Sequence, residues 1–524
     1  MNNFSILLFD LLLCSSKKKK VDLLKDFFAS SSIDDRGWAF SILSNRFEKK
    51  IINSKDLKEL VTKKTSKSLF DYSYDYVGDL AETISLLWNS KKEYDQVISL
   101  SRFMELLRSN NNKKKLLDEI ELILDKSNEN QRYTILKILT GGLRLGVSNG
   151  LLKESLIKYG KRTLYEIDEF WYGFQLPFTD LFNWLDGNDL PVYVDRKQLF
   201  NSFMLANEFN INKFNSVSPI NYLAEYKWDG IRAQIIFSNN GKIYSRSGDD
   251  VTKSFPDINT FDNNYYVIDG ELVIKKGGKI LSFNYLQKRI GRKKPSQKIT
   301  NEYPIHFIAY DILFFKDLDC RNLPLFERKK YLKTFLDEKN TNKLSMSPDV
   351  KFKDWKDLKL IKESSLNNHI EGVVIKDKNS IYKKGRVVDG WYKWKRKPYS
   401  FDFIIMYAQR GHGKRSSFYS DFTFGCWTND NFQELIPIGK AYSGYTNDDL
   451  KKLDLWVRNN TLQRYGPVRS VKPGLVVEIS FDNINLSSRH KSGLALRFPR
   501  FSRIRWDKPI SEVSELKYIK DLIN

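Results

Sequence analysis

The stretch EYKWDGIR, residues 225–232, is the most informative part of this chain for its fold. It lies between two apolar runs whose alternation is typical of β-strands, and it sets Lys227 close to Asp229, Gly230 and Arg232. A lysine amine is a nucleophile that can attack a phosphoryl group and carry it as a phosphoramidate. Because such short patterns are also common at strand ends, their meaning depends on the segments around them.

Further short segments follow this stretch in a fixed order. They are SRSGDD (245–250), VIDGELVI (267–274), FIAYDILFF (307–315), EGVVIK (371–376), WYKWK (391–395) and RFPRFSRIRWDK (497–508). The whole set resembles the ordered motifs of the nucleotidyltransferases that adenylate a lysine, namely the ATP-dependent DNA ligases. The stretch SIYKKGRVVDGWYKWKRKP (380–398) resembles the ligase pattern in detail.

The resemblance extends towards both ends of the chain. VGDLAETISLL (77–87) and LTGGLRLGVSNG (139–150) are similar to the N-terminal DNA-binding domain of one bacterial ligase group. SRHKSGLALRFPR (488–500) is similar to the C-terminal domain of the same group. The expected fold is therefore multidomain, with an all-α N-terminal domain, an α/β (α+β) nucleotidyltransferase domain of the ATP-grasp-like adenylation type and a C-terminal β-barrel of the OB type.

The periodicity of apolar residues predicts the same three regions. Helical spacing dominates residues 1–195, strand-like alternation mixed with helices characterises 196–398, and short strands return in 399–524. The stretch from GNDLPVYVDR (187–196) to about residue 220 lacks firm periodicity and is interpreted as a linker. Residues 139–148 combine glycines with Arg144, either to let the backbone approach a phosphate or to form a helix-packing turn.

Composition favours a polyanionic partner in a reducing compartment. The 524 residues include 87 Lys and Arg against 64 Asp and Glu, a formal net charge of +23, and nucleic acid is the first candidate for such an excess. A generally lysine-rich composition is the alternative explanation. Cys14, Cys320 and Cys426 form neither a zinc spacing nor a disulfide framework, so each is expected in a core and the protein in the cytoplasm.

The apolar N-terminal run FSILLFDLLLC (4–14) is predicted to be a buried helix. Asp10 interrupts it, and it falls short of the roughly 20 apolar residues of a membrane span. The lysine runs KKKK (17–20) and KKK (113–115) are interpreted as solvated surface. We therefore expect no membrane partner.

The resemblance implies roles for named residues. Lys227 would carry AMP, Glu271 and Glu371 would bind Mg²⁺ (or Glu271 the ribose), and Tyr310 would stack on adenine. The residues expected to act in catalysis are Lys227, Glu271, Glu371, Lys393, Lys395, Arg505 and Lys508. Those expected to bind ATP or AMP are Glu225, Lys227, Arg232, Arg246, Glu271, Tyr310, Lys376, Lys393 and Lys395.

Basic turns are expected to hold the DNA backbone. The candidates are Arg144, Arg410, Lys414, Arg415, Arg489, Lys491, Arg497 and Arg500. The implied activity is ATP- and Mg²⁺-dependent sealing of nicked duplex DNA by a monomer, in DNA replication, repair or recombination. The alternatives are an RNA ligase, a capping-type nucleotidyltransferase and, in another class, a non-catalytic DNA-binding protein with a degenerate adenylation domain.

Overall fold

The computed structural model describes most of the chain, which divides into two compact units. The described residues are 1–47, 52–89, 98–110, 112–141, 143, 145–290, 292, 294–365, 369–388, 390–411, 417–428, 434–466, 468–487 and 490–522. One unit comprises residues 1–167, 174–191 and 398–524, and the other comprises residues 168–173 and 192–397. The boundaries predicted from the sequence, at 195/196 and 398/399, stay a prediction.

The N-terminal region is helical, which confirms the sequence prediction. Its helices are α1 (Asn2–Leu13), α2 (Lys17–Ser30), α3 (Ile33–Leu43), α4 (Ser54–Thr62), α5 (Lys67–Val77), α6 (Leu80–Leu87), α7 (Leu100–Ser109), α8 (Lys113–Asp125), α9 (Glu129–Thr140), α10 (Asn149–Tyr159), α11 (Leu164–Phe170) and α12 (Thr179–Leu185). Reciprocal capping boxes start α4, between Asn53 and Asp56, and α9, between Asn128 and Gln131. Within the described ranges, no helix is long and apolar enough to cross a bilayer.

Two predictions about single side chains in this region are wrong. Lys20, the last residue of the KKKK run, is buried, and its ammonium donates a hydrogen bond to the carbonyl of Leu145. The lysine therefore fixes the loop that precedes α10 instead of being solvated. Cys14 ends α1 and is only half-buried, because the helix terminus lies at the edge of the packed region.

The second unit is built on two β-sheets, which agrees with the predicted α/β region. Its elements are β1 (Met204–Leu205), β2 (Asn207–Glu208), α13 (Ile211–Phe214), β3 (Tyr222–Trp228), β4 (Ile231–Phe237), β5 (Lys242–Ser245), β6 (Tyr266–Lys276), β7 (Lys279–Ile280), α14 (Phe283–Gln287), α15 (Gln297–Glu302), β8 (Ile305–Phe315), β9 (Leu318–Asp319), α16 (Leu325–Lys339), β10 (Leu344–Met346), β11 (Asp349–Val350), α17 (Trp355–Ser365), β12 (Ile370–Asp377), β13 (Gly385–Arg386) and β14 (Trp391–Lys395). The strand orders are β10-β8-β6-β4-β5 and β11-β3-β12-β14-β2.

The segment interpreted as a linker belongs to the core of this second unit. Phe200, Phe203 and Met204 are buried in one apolar cluster with Trp391. Strands β1 and β2 each contain two residues and pair with β13 and β14. Elements this short carry no periodicity, so the sequence pattern alone does not reveal that they are structured.

The C-terminal region is a small sheet domain. Its elements are β15 (Tyr399–Arg410), β16 (Tyr419–Trp427), β17 (Leu435–Ala441), α18 (Asn447–Asn459), β18 (Thr461–Tyr465), β19 (Val468–Val471), β20 (Val476–Phe481), β21 (Asn483–Leu486), β22 (Leu494–Arg497), β23 (Arg500–Arg505) and α19 (Leu516–Lys520). The main order is β17-β16-β15-β19-β18, and β20 pairs with both β15 and β23. Alternate residues of these strands, together with Leu453 and Val457 of α18, fill one apolar core.

Replacing Arg328 by Met should destabilise the second unit strongly. Arg328 of α16 and Asp311 of β8 are both fully buried, and the Arg328 Nε lies 2.8 Å from Asp311 Oδ1. Removing one partner leaves a buried charge uncompensated, which costs about 3–5 kcal/mol. The midpoint of urea unfolding, followed by tryptophan fluorescence, measures the loss.

Lys197→Met is the matched control. Its ion pair with Asp317 is exposed, and such pairs contribute at most about 1 kcal/mol. Equal shifts of the midpoint in the two variants would contradict a structural role for the buried pair.

Candidate active site

Strand β3 and strand β12 bring a lysine and a glutamate into direct contact. Lys227 lies opposite Gly372 in this antiparallel pair, and the register shifts between Ile370 and Gly372. The Lys227 Nζ is 2.6 Å from the Glu371 Oε2, and both side chains keep a minor share of solvent exposure. Lys395 of β14 approaches the same oxygen to 3.8 Å. The predicted nucleophile therefore shares one carboxylate with a second predicted cation.

Two glycines make this arrangement possible. A side chain at Gly230 would collide with the Leu272 carbonyl oxygen and come within 2.7 Å of the Glu271 Cγ. Gly372 has φ of +149° and lies against the carbonyl oxygen of Trp394. The backbone after Lys227 and the backbone after Glu371 can thus approach the neighbouring strands closely.

Arg232 is anchored by a carboxylate that the sequence analysis gave no role. Its guanidinium donates to both oxygens of Asp269, with Nε–Oδ1 at 3.1 Å and Nη2–Oδ2 at 2.7 Å. The Tyr382 hydroxyl donates to the same Asp269 Oδ2 at 2.7 Å. Burial opposes the charge on Arg232, but the Asp269 carboxylate outweighs it, so the pKa of Arg232 is raised further above its ordinary value.

Glu271 lies in the middle of β6, directly opposite Arg232 of β4. The pKa of Glu271 is raised to about 8, and burial is the largest cause. The cations Lys227 and Arg232 oppose this rise, and the carboxylates Glu371 and Asp269 add to it. Glu271 and Glu371 are therefore close enough to repel one another.

A divalent cation fits this pair of carboxylates. Mg²⁺ is usually held by one or two carboxylates together with substrate phosphates, and a bound divalent cation would favour the ionised form of Glu271. Across the described residues, no group of three or more His, Cys, Asp or Glu side chains converges as a metal site. A cation held by these two carboxylates would take its remaining ligands from substrate oxygens.

A second buried cluster lies beside Tyr310. The carboxylate of Glu225 pairs with Lys376 at 2.8 Å and with Lys329 of α16, and all three side chains are buried. The Lys376 Nζ lies 4.6 Å from the Tyr310 ring centre and 4.2 Å from that of Trp391. Burial lowers the pKa of Lys376 despite the Glu225 charge. Lys376, which is predicted to bind the nucleotide, is therefore paired with Glu225. Lys329 belongs to the same cluster, and the sequence motifs do not identify it.

The remaining predicted nucleotide-binding residues lie in different environments. Lys393 pairs with the exposed Glu208 at 2.9 Å. Arg246 is exposed in the turn that follows β5. In the C-terminal domain, Lys508 and Arg505 both face Asp402.

The predicted DNA-binding residues are only partly described. Arg410 ends β15 beside the Tyr419 ring, and Lys491 is exposed. Arg500 pairs with Asp482 at 2.9 Å, and the guanidinium of Arg497 lies 5.5 Å from the Phe498 ring centre. The other predicted members, Arg144, Lys414, Arg415 and Arg489, lie outside the described residues.

Comparison with known proteins matches most of this architecture. Residues 203–395 match the model of the ATP dependent DNA ligase domain, and residues 415–508 match that of the ATP dependent DNA ligase C terminal region. A probable DNA ligase of Koribacter versatilis is 30% identical over 440 residues, covering 77% of this chain and 74% of that protein. A DNA ligase of Nanoarchaeum equitans is 27% identical and covers 91% of this chain and 88% of that protein.

A solved structure named Pmar-Lig_PreS3 has a similar fold. Its TM-score is 0.58 and its sequence identity 16%, and the match covers 96% of this chain and 99% of that one. Together with the family match, this confirms a helical region followed by a nucleotidyltransferase domain and an OB-fold-like sheet domain.

Glu271→Gln should remove a pH-dependent loss of stability. The pKa of Glu271 is raised from 4.5 to about 8, so the folded protein keeps a proton that the unfolded chain has released. Stability therefore falls as pH rises from about 4.5 to about 8, by at most about 1.4 kcal/mol per pH unit. The melting temperature of the wild type should fall relative to that of the variant across this range, without ATP or metal.

Glu363→Gln, which alters an exposed carboxylate of α17, is the control and should show no such trend. A constant difference in melting temperature between wild type and Glu271→Gln would contradict the protonated state of Glu271.

Proposed function

Because the chain belongs to the ATP-dependent DNA ligase family, we propose that Lys227 carries the adenylate during nick sealing. The observation that carries this proposal is the 2.6 Å contact between the Lys227 amine and Glu371. The amine stands at the end of a strand, partly open to solvent, among carboxylates and cations. Phosphoryl transfer depends mainly on positioning and on neutralising charge, and this site offers both.

Self-adenylation would begin with attack of the Lys227 Nζ on the α-phosphorus of ATP. The N–P bond forms, the bond to the bridging oxygen of the β-phosphate breaks, and pyrophosphate leaves with the bonding electrons. The ammonium must first lose a proton, and Glu371 is the carboxylate in hydrogen-bond contact with it. Lys395 faces the same carboxylate at 3.8 Å, so Glu371 is shared between two cations.

In the next two steps the DNA ends react. A 5′-phosphate oxygen attacks the adenylyl phosphorus, which breaks the N–P bond and returns the Lys227 amine. The 3′-hydroxyl then attacks the activated 5′-phosphorus, forms the phosphodiester and releases AMP. Covalent catalysis of this kind replaces one difficult displacement by easier ones.

Glu271 and Glu371 are the residues that would hold Mg²⁺. When bound, the ion supplies charge neutralisation for the phosphate oxygens. The carboxylates' own part is to offer hard oxygen ligands beside the amine of Lys227. Glu271 has to release its proton to do so, because its pKa is raised to about 8.

Nucleobase binding would use the surface above the Glu225 cluster. Tyr310 offers a ring beside Trp391, with ring centres 6.2 Å apart. Stacking of a base on such a ring contributes about 1–3 kcal/mol. Arg232, held rigidly by Asp269, would orient the sugar and phosphate side of the nucleotide.

The C-terminal cations would act at two stages. Arg505 and Lys508 would orient pyrophosphate as it leaves during self-adenylation. Phosphates of nicked duplex DNA would be contacted by Arg410, Lys414, Arg415, Arg489, Lys491, Arg497 and Arg500. Arg144 of the N-terminal region would make a similar contact. Contacts to the backbone carry no sequence information, so binding should be sequence-independent and should weaken steeply with salt.

Lys227→Ala should abolish covalent labelling by α-labelled ATP, because no other amine replaces the nucleophile. Binding of nicked DNA should remain within about threefold of wild type, since one phosphate contact at most is lost. Gel detection of labelled protein and an anisotropy titration with nicked DNA measure the two properties.

Lys330→Ala, which removes an exposed lysine of α16, is the control and should label like wild type. Labelling that persists in Lys227→Ala would show that another residue carries the adenylate.

Lys508→Ala should slow self-adenylation about tenfold or more, because it removes a charge that stabilises the leaving pyrophosphate. Sealing of a nick that is already adenylated does not release pyrophosphate and should slow much less. Single-turnover assays of the two reactions separate them, and equal losses would count against the pyrophosphate role.

A further inference from the structure

One carboxylate of the C-terminal domain engages both cations at the end of β23. Asp402 of β15 accepts a hydrogen bond from the Lys508 Nζ at 2.8 Å through its Oδ2. The Arg505 Nη1 lies 3.7 Å from the same oxygen. Strand β20 lies between β15 and β23, with Asp402 opposite Glu478 and Arg505 opposite Val476. The sheet therefore places Asp402 and Arg505 near one another, and Lys508 follows β23 after a short turn.

The cluster is protected from solvent but incompletely satisfied. The exposed fractions of the Asp402, Lys508 and Arg505 side chains are 14%, 17% and 26%. Among the residues that the structure describes, neither the buried Asp402 Oδ1 nor the buried Arg505 Nε has a hydrogen-bond partner. An ion pair with unused donors and acceptors is less stable than a closed network, so its cations can be transferred to a stronger anion.

We propose that Asp402 is a positioning residue that holds Arg505 and Lys508 ready and releases them to the triphosphate of ATP. This inference rests on the proposed role of the two cations in self-adenylation. A triphosphate carries more negative charge than one carboxylate and presents more acceptor oxygens, so it outcompetes Asp402 for the same donors. The carboxylate thus keeps two flexible side chains ordered and sets the ATP concentration at which they change partner.

The competition has a kinetic signature that a purely structural role lacks. Asp402→Asn keeps the shape of the side chain but removes the competing charge. The KM for ATP in self-adenylation should fall about three- to fivefold, which corresponds to the loss of a partly exposed ion pair, while kcat changes less than about twofold. Asp402→Glu restores the charge and should return KM towards the wild-type value.

The experiment measures initial rates of covalent labelling of the full chain over a range of ATP concentrations, in wild type and five variants, one of which is Lys508→Ala. Asp402→Asn and Asp402→Glu test the competition directly. The double variant Asp402→Asn with Lys508→Ala tests how much of the effect passes through Lys508. Relative to Lys508→Ala alone, its KM should fall less than it does in the wild-type background, because only Arg505 remains to be released. Asp482→Asn is the matched control, because its carboxylate pairs with Arg500 at 2.9 Å, and its KM should stay unchanged.

The outcomes separate this inference from the proposed function. A KM that stays constant or rises in Asp402→Asn, while Lys508→Ala still slows self-adenylation, overturns the role of Asp402 alone. A Lys508→Ala variant that labels like wild type overturns the proposed role of the cation. If Asp402→Asn melts at a lower temperature than wild type, its KM is not decisive and Asp402→Glu provides the test. A stably folded Asp402→Glu variant whose KM differs from that of wild type refutes competition by charge.

Discussion

The pairing of β3 with β12 is the constraint on which the candidate site depends. It sets Lys227 opposite Gly372, and the register shift at that point brings the Glu371 side chain within 2.6 Å of the lysine amine. A slip of one residue would turn Lys227 to the other face of the sheet, away from Glu371. The chemistry proposed for the amine is thus a consequence of strand register. Gly230 and Gly372 let the adjoining strands approach closely, because a side chain at these positions would collide with the Leu272 carbonyl of β6 or the Trp394 carbonyl of β14.

Buried charge holds the surrounding elements in place. Three buried carboxylates, Asp269, Asp311 and Glu225, each pair with at least one cation from a different element. A buried ion pair adds little net stability, but loss of one partner is strongly destabilising, so such pairs select one arrangement over its competitors. Asp269 fixes Arg232 beside the lysine, and Glu225 fixes Lys376 beneath Tyr310. Some of the cations nearest the site are therefore held in ion pairs with buried carboxylates, and the others can bind a nucleotide.

The sequence predicted the elements better than it predicted their partners. The apolar alternation around Lys227, Glu271 and Glu371 identified strands, because period-two patterning reflects burial of one sheet face. It did not identify Lys329, whose partner Glu225 lies 104 residues away, because ion pairs between distant segments leave no local pattern. Lys20 was misjudged for the same reason, since its acceptor, the Leu145 carbonyl, lies 125 residues along the chain. The pattern around Phe203 predicts a linker because two-residue strands are too short to show a period.

The more an ion pair is exposed to solvent, the more readily its cation can change partner, and the predicted cations differ in this exposure. Lys393 pairs with Glu208, whose side chain is 73% exposed, so water screens this attraction and little is lost when the lysine moves. Lys508 pairs with Asp402, which is 14% exposed, so its attraction is screened less. A basic chain of net charge +23 has many cations for a polyanion, and the motif lysines Lys393 and Lys508 each have a carboxylate beside them. Local pairing keeps these lysines ordered, and the excess of positive charge over the rest of the chain is of the sign that favours binding to a DNA backbone.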